Sequence, residues 1–103
     1  MTGYSLSAAA RLDHLDIVEF VAVDNLSAAY CLRDRMFAAF DRLADQPGLG
    51  HVRDHLIGRA VGVRFWPVGS YLVIYWQTSG EVQIVRVLSG YRDIAAILAD
   101  NPG

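Results

Sequence analysis

Three short apolar runs, each closed by a turn, fill residues 61–94 and set what the chain can become. Val61–Trp66 ends at Pro67-Val68-Gly69-Ser70, Tyr71–Trp76 ends at Thr78-Ser79-Gly80, and Val82–Leu88 ends at Ser89-Gly90. Runs of this length, rich in Val, Ile, Tyr, Phe and Trp and separated by Gly, Pro and Ser, read as an antiparallel meander. The remaining segments must then cover that sheet.

Those segments carry helical spacing. Gly3–Ser7 is a short strand candidate, and Ser7 before Ala8-Ala9-Ala10 suits a helix N-cap. A first helix is expected over Ala8–Val23, ending at Asp24-Asn25 because asparagine tolerates the left-handed conformation that closes helices. It carries two apolar lines, Ala10–His14–Ile17–Val21 and Ala8–Leu12–Leu15–Ala22, where a surface helix usually carries one. The simplest expectation has both internal; the alternative is that one faces a partner. A second helix over Ser27–Asp45 has one line, Ala29, Leu32, Met36, Phe40 and Leu43, with charged residues elsewhere. The short link makes the two an antiparallel hairpin. Pro47-Gly48-Leu49-Gly50 ends the second helix, His51–Ala60 reads as a polar loop, and Ile94–Leu98 reads as a short closing helix behind Arg92-Asp93. The expected fold is α+β: an N-terminal strand, a helical hairpin packed on a small antiparallel sheet in the order β-α-α-β-β-β, and the closing helix, all in one domain over residues 1–103.

Composition excludes several classes. No apolar run approaches the ~20 residues of a membrane span. The opening MTGYSLSAAARLD lacks the basic and apolar regions of a signal peptide, so a cytoplasmic protein is expected. Cys31 has no second cysteine to pair with and falls within a helical pattern, where a small buried hydrophobe is expected. The three histidines are scattered without metal-ligand spacing, so no metal or cofactor is expected. The glycines have no phosphate-cradling spacing, and Asp13 and Asp16 read as solvated helix-surface carboxylates. Every one of the nine cations is arginine and the formal net charge is −2, which opposes a broad coat of nucleic acid. The hydrophobic fraction of 53% exceeds what a domain this size needs for its core and points to a protein partner.

Strand alternation places Val61, Val63 and Phe65 on one face, with Arg64 and Trp66 on the other. It also puts Val82, Ile84, Arg86 and Leu88 together, against Gln83, Val85 and Val87. An arginine in such a row needs a carboxylate or a route to the rim. Asp93 or Asp54 is the expected structural partner of Arg86, and an acidic partner or phosphate the functional one.

Several local sequences resemble the ParE branch of the ParE/RelE toxin superfamily of bacterial toxin–antitoxin pairs. They are LSAAARLD at Leu6–Asp13; Ile17–Ala22 followed by Asp24-Asn25; Pro47, Leu49-Gly50, Arg53-Asp54 and Leu56; Arg64, Phe65–Leu72 and Tyr75; and Arg86-Val87-Leu88, Gly90 and Arg92-Asp93-Ile94. The resemblance covers essentially the whole chain. Ser89 departs from it, where many members have histidine, as does Tyr91, where a basic or small residue is common. His14 stands at what resembles a core leucine position and is expected to be buried and neutral.

The resemblance implies a RelE-like fold and a toxin that poisons DNA gyrase without chemistry of its own. A ParD-like antitoxin would neutralise it by wrapping a helix and an extended segment around it. The antitoxin contacts implied are Leu12, Leu15 and Phe37 on the helices and Arg64, Trp66 and Arg86 at the sheet rim. Target contacts implied are Arg86, Tyr91 and Arg92, with the C-terminal part, Gly90–Leu98, as the expected gyrase surface. No catalytic residue, membrane contact or sequence-specific nucleic-acid binding by the chain alone is implied. The superfamily's second mechanism, messenger cleavage on the ribosome, needs a cationic pocket and an acid–base pair. Arg64, Arg86, Tyr91 and Arg92 imitate part of that pocket, with His51 or His55 able to titrate near neutrality. The acidic balance and absence of lysine place this second. A third possibility is a non-toxic module that binds its antitoxin as a co-repressor.

Overall fold

A computed structural model describes residues 3–52, 63–78 and 80–89. The chain runs β1 (Gly3–Leu6), α1 (Ala8–Asp24), α2 (Leu26–Asp45), a 3-10 turn (Pro47–Leu49), β2 (His51–Val52), β3 (Arg64–Val68), β4 (Tyr71–Thr78) and β5 (Glu81–Ser89). The α+β architecture follows the sequence expectation. The closing helix expected at Ile94–Leu98 lies outside the described residues.

The strand order is β1-β5-β4-β3-β2. Strands β2 to β5 are antiparallel neighbours, as the meander requires, but β1 runs parallel to β5, with Tyr4 opposite Val82 and Leu6 opposite Ile84. The sheet is therefore mixed rather than antiparallel. Parallel partners need a long crossover, and the hairpin with everything up to β4 supplies it. A two-residue strand also occupies His51–Val52, where a loop was expected. Pro67 lies inside β3 instead of opening its turn. Only Phe65 and Arg64 have partners on β2, so Pro67 falls on an edge where its missing N–H costs no ladder bond. The β3–β4 turn is the pair Gly69-Ser70, with Gly69 at φ 59°, a conformation that favours glycine.

The hairpin packs its inner lines on one face of the sheet. Ala10, Met36, Phe40 and Leu43 form a buried cluster with Val68, Val73, Tyr75, Val82, Ile84 and Val87. Val63, Phe65, Leu72, Ile74, Val85 and Leu88 form a second cluster. Leu72–Tyr75 is buried at every position and contributes to both clusters, which is why that run shows no alternation.

A β-bulge upsets the predicted alternation in β5. Ile74 faces Arg86 but Tyr75 faces Ile84, so Val85 has no opposite residue. The phase shifts there. Val82, Ile84 and Val87 pack with the helices, while Val85 and Leu88 join the second cluster. Arg86 therefore does not belong to a row running Val82–Ile84–Arg86–Leu88. The Val85 carbonyl accepts from Ser7 Oγ at 2.7 Å, and the same Oγ caps α1 by accepting from Ala10 N at 3.0 Å.

Asn25 ends α1 with an extended backbone, φ −154°, rather than a left-handed one. Its side chain accepts from Ala28 N at 2.9 Å and so caps α2, and this one residue links the helices. Cys31 is exposed, not buried, because it lies off the Ala29–Leu32–Met36 line.

Near the end of α2, the Tyr75 hydroxyl donates to Pro47 O and accepts from Gly50 N, both at 2.7 Å. Burial raises the Tyr75 pKa above the usual phenol range, against the opposing Gly50 N–H and Arg64 charge. A Cβ on Gly50 would overlap the Tyr75 ring. Gly50→Ala is expected to lower stability by about 1–3 kcal/mol, the usual range for overpacking, read as a lower denaturant midpoint.

His14 is buried, as expected, between the rings of Phe37 and Phe40 at centroid distances of 5.0 and 5.9 Å. Its Nε2 has no hydrogen-bond partner among the described residues. Burial, reinforced by the Arg33 charge, lowers its pKa. The unfolded chain therefore takes up a proton below about pH 6.5 that the folded chain refuses, and stability falls as pH drops through that value. The denaturant midpoint of the native protein is expected to fall between about pH 7 and about pH 5 by more than that of His14→Leu, which removes this contribution.

Candidate partner-binding surface

On α1 the line Ala10–His14–Ile17–Val21 turns inward, and the opposite line does not. Leu12 is 60% exposed, Leu15 50% and Val23 85%. They share one helix face, interrupted by Glu19. The second line predicted on this helix is therefore not internal. Phe20 at 76% lies to one side, and Leu26 and Tyr30 continue the apolar surface across the turn onto α2 at 57% and 50%. Phe20, Val23, Leu26 and Tyr30 were not singled out from sequence. Their signal was there, since apolar residues spaced by three and four fall off the buried line at the end of α1 and the start of α2. Phe37 is 39% exposed and packs its ring edge against His14, at the seam between the helices.

The rim arginines are held by the fold. Arg86 Nε meets Asp13 Oδ2 at 2.6 Å and its Nη2 meets Asp13 Oδ1 at 3.0 Å, a two-point pairing of guanidinium with carboxylate. Asp13 Oδ2 also accepts from Val87 N at 3.1 Å. The Asp13 hydrogen bond raises the Arg86 pKa further above its usual value, against a smaller opposing effect of burial. Arg86 thus has a structural partner among the described residues, but that partner is Asp13; Asp54 and Asp93 lie outside them. Asp13 is correspondingly not the solvated carboxylate expected, its side chain being 17% exposed.

Arg64 Nη1 donates to Gly50 O at 3.0 Å, which ties β3 to the segment after α2. Trp66 is half-buried and lies under Arg42, whose guanidinium carbon is 5.7 Å from the ring centroid. The six residues expected to contact an antitoxin do not form one patch. Leu12 and Leu15 share α1 with Asp13, which holds Arg86 on β5, whereas Arg64 and Trp66 belong to β3, two strands away. Tyr91, Arg92 and His55 lie outside the described residues.

Among the described residues no three His, Cys, Asp or Glu side chains come together as metal ligands. No described helix is long and apolar enough to cross a membrane.

Comparison with known proteins agrees with the fold. The family model of the ParE toxin of the type II toxin–antitoxin system parDE matches residues 4–94. A solved structure described as the chromosomal ParDE TA system from P. aeruginosa superposes with a TM-score of 0.72 at 17% identity, over 88% of this chain and 98% of that one. No curated protein sequence matches the chain. The match over nearly the whole length, on the helical hairpin and sheet described above, shows that the chain belongs to the ParE toxin family of type II toxin–antitoxin systems.

Proposed function

We propose that the chain is a growth-inhibiting toxin that acts on DNA gyrase and is neutralised by a ParD-like antitoxin bound along the exposed face of α1. The observation that carries the antitoxin part is the line Leu12, Leu15 and Val23, continued by Leu26 and Tyr30, which is exposed while Ala10 and His14 on α1 and Ala29, Met36, Phe40 and Leu43 on α2 are buried. An amphipathic helix laid on such a line removes several large side chains from water on both partners. The acidic residues beside it, Asp16, Glu19 and Asp24, favour basic residues on the flanks of that helix. The gyrase part, and the cytoplasmic location it requires, rest on family membership.

The ribonuclease reading is less well supported. Messenger cleavage needs cationic groups free to meet a developing charge on phosphorus. Arg86 is bound at two points by Asp13, and one Arg64 N–H is donated to Gly50 O. Arg86 cannot turn those donors to a substrate without giving up Asp13.

Purified protein is expected to convert supercoiled plasmid to linear DNA in the presence of gyrase, and to leave in vitro translation intact. Blocked translation with cut messenger would replace this reading with the ribonuclease one. Inactivity in both assays with tight antitoxin binding would leave a non-toxic binding module.

Leu15→Glu is expected to weaken antitoxin binding by about 2 kcal/mol, roughly thirty-fold in Kd, with the melting temperature unchanged. A melting temperature that collapses with the substitution would make Leu15 part of the core.

A further inference from the structure

The sheet has two buried faces, and the described helices account for one of them. On the far face Phe65, Leu72, Ile74, Val85 and Leu88 form a cluster with Val63 and Trp76 that contains no residue of α1 or α2. Leu88, the least buried of the first five, is 6% exposed. Apolar side chains on a bare sheet face stand in water, so burial this deep requires a second layer. The helical hairpin packs on the other cluster, and the longer lengths of chain that remain are 53–62 and 90–103. We propose that residues 91–100 form that layer, docking on β4 and β5 as an amphipathic helix with Tyr91, Ile94 and Leu98 inward and Arg92, Asp93 and Asp100 outward.

Three observations carry the choice of occupant. The first is that the far face is buried in the single chain, so its cover does not wait for a partner protein. The second is position. Residues 53–62 join Val52 to Val63, and Val52 and Arg64 are paired at the Tyr75 end of β4. Leu72 and Leu88 face each other at the opposite end, one residue before the point where β5 stops at Ser89. The 53–62 connection can cover Val63 at its own end, whereas the C-terminal segment leaves the sheet beside Leu72 and Leu88. Ser89-Gly90 is a turn pair, which suits a chain that folds back over its own strand.

The third is pattern and length. Tyr91, Ile94, Ala95 and Leu98 are spaced by three, one and three, a single helical line, and Arg92, Asp93 and Asp100 fall on the opposite side. Ten helical residues span about 15 Å, and the strand from Leu72 to Trp76 spans about 13 Å, so one such helix matches the length of the cluster. Folding back from Ser89 brings Ile94 over Leu72 and Leu88, and Leu98 over Ile74 and Val85. Tyr91 thereby leaves the set of expected target contacts and becomes a docking residue, while Arg92 stays on the outside. Because the occupant is a segment of this chain, the proposal does not rest on gyrase or on an antitoxin.

The test is a nuclear Overhauser spectrum of the full chain with labelled Ile, Leu and Val methyl groups, recorded without any partner. Cross-peaks are expected from Ile94 to Leu72 or Leu88 and from Leu98 to Ile74 or Val85. Three variants add a second reading by urea denaturation. Leu98→Glu and Tyr91→Ser are expected to lower the folding equilibrium constant about ten-fold or more, and Arg92→Gln to leave the midpoint in place. Should Leu98→Glu not fold at all, the cross-peaks of the unaltered chain decide. Cross-peaks from Leu72, Ile74, Val85 and Leu88 to Leu56, Ile57 or Val61 in place of Ile94 and Leu98 would overturn the proposal. So would a urea midpoint that Leu98→Glu leaves unmoved, or one that falls as far with Arg92→Gln as with Tyr91→Ser. None of these outcomes bears on the gyrase assay, and a negative gyrase assay leaves this packing standing.

Discussion

The fold turns on a single extra residue in β5. Inserting Val85 without an opposite partner frees a backbone carbonyl, and Ser7 answers it with the hydroxyl that also caps α1. One turn and a half further along that helix, Asp13 takes the Val87 N–H and both ends of the Arg86 fork. A buried polar group left without such a partner costs about 1–3 kcal/mol, so the bulge, the start of α1 and the pairing of β1 are not independent choices. Together they pin the start of α1 against β5, where the Ala10–His14 line is buried.

This dependence explains what could be read in the residues and what could not. Periodicity finds an element's inner face when that face is continuous, as on α2, where Ala29, Met36, Phe40 and Leu43 are all buried. The turn and cap residues also show the meander and the Ser7 cap, while the burial of His14 is what the family resemblance implies. Periodicity cannot show which strand will lie beside β1, because an alternating pattern does not encode direction. Nor can it show a bulge, since the shifted phase at Val85 and Arg86 has no signature apart from the partner strand. Asp13 and Arg86 are 73 residues apart, and nothing in the local spacing of either announces the other. For the binding surface, Leu12 and Leu15 were visible as a second line on α1, but the decision that this line stays outside belongs to the tertiary packing.

Arginine does varied work here because the chain has no lysine. Arg86 closes a strand edge through Asp13, Arg64 ties β3 to the carbonyl of Gly50, Arg42 covers an indole, and Arg35 lies against a turn. Arg86 and Arg64 are fastened within the fold, whereas Arg35 and Arg42 are exposed.

Pro67 has a consequence for the chain when it is alone. A small domain that displays a line of leucines invites self-association, and the usual route to insoluble assemblies is strand joining strand at an open border. Proline in β3 interrupts that route where β2 stops. Among the described residues the apolar line of α1 is then combined with a strand border that cannot be extended at Pro67.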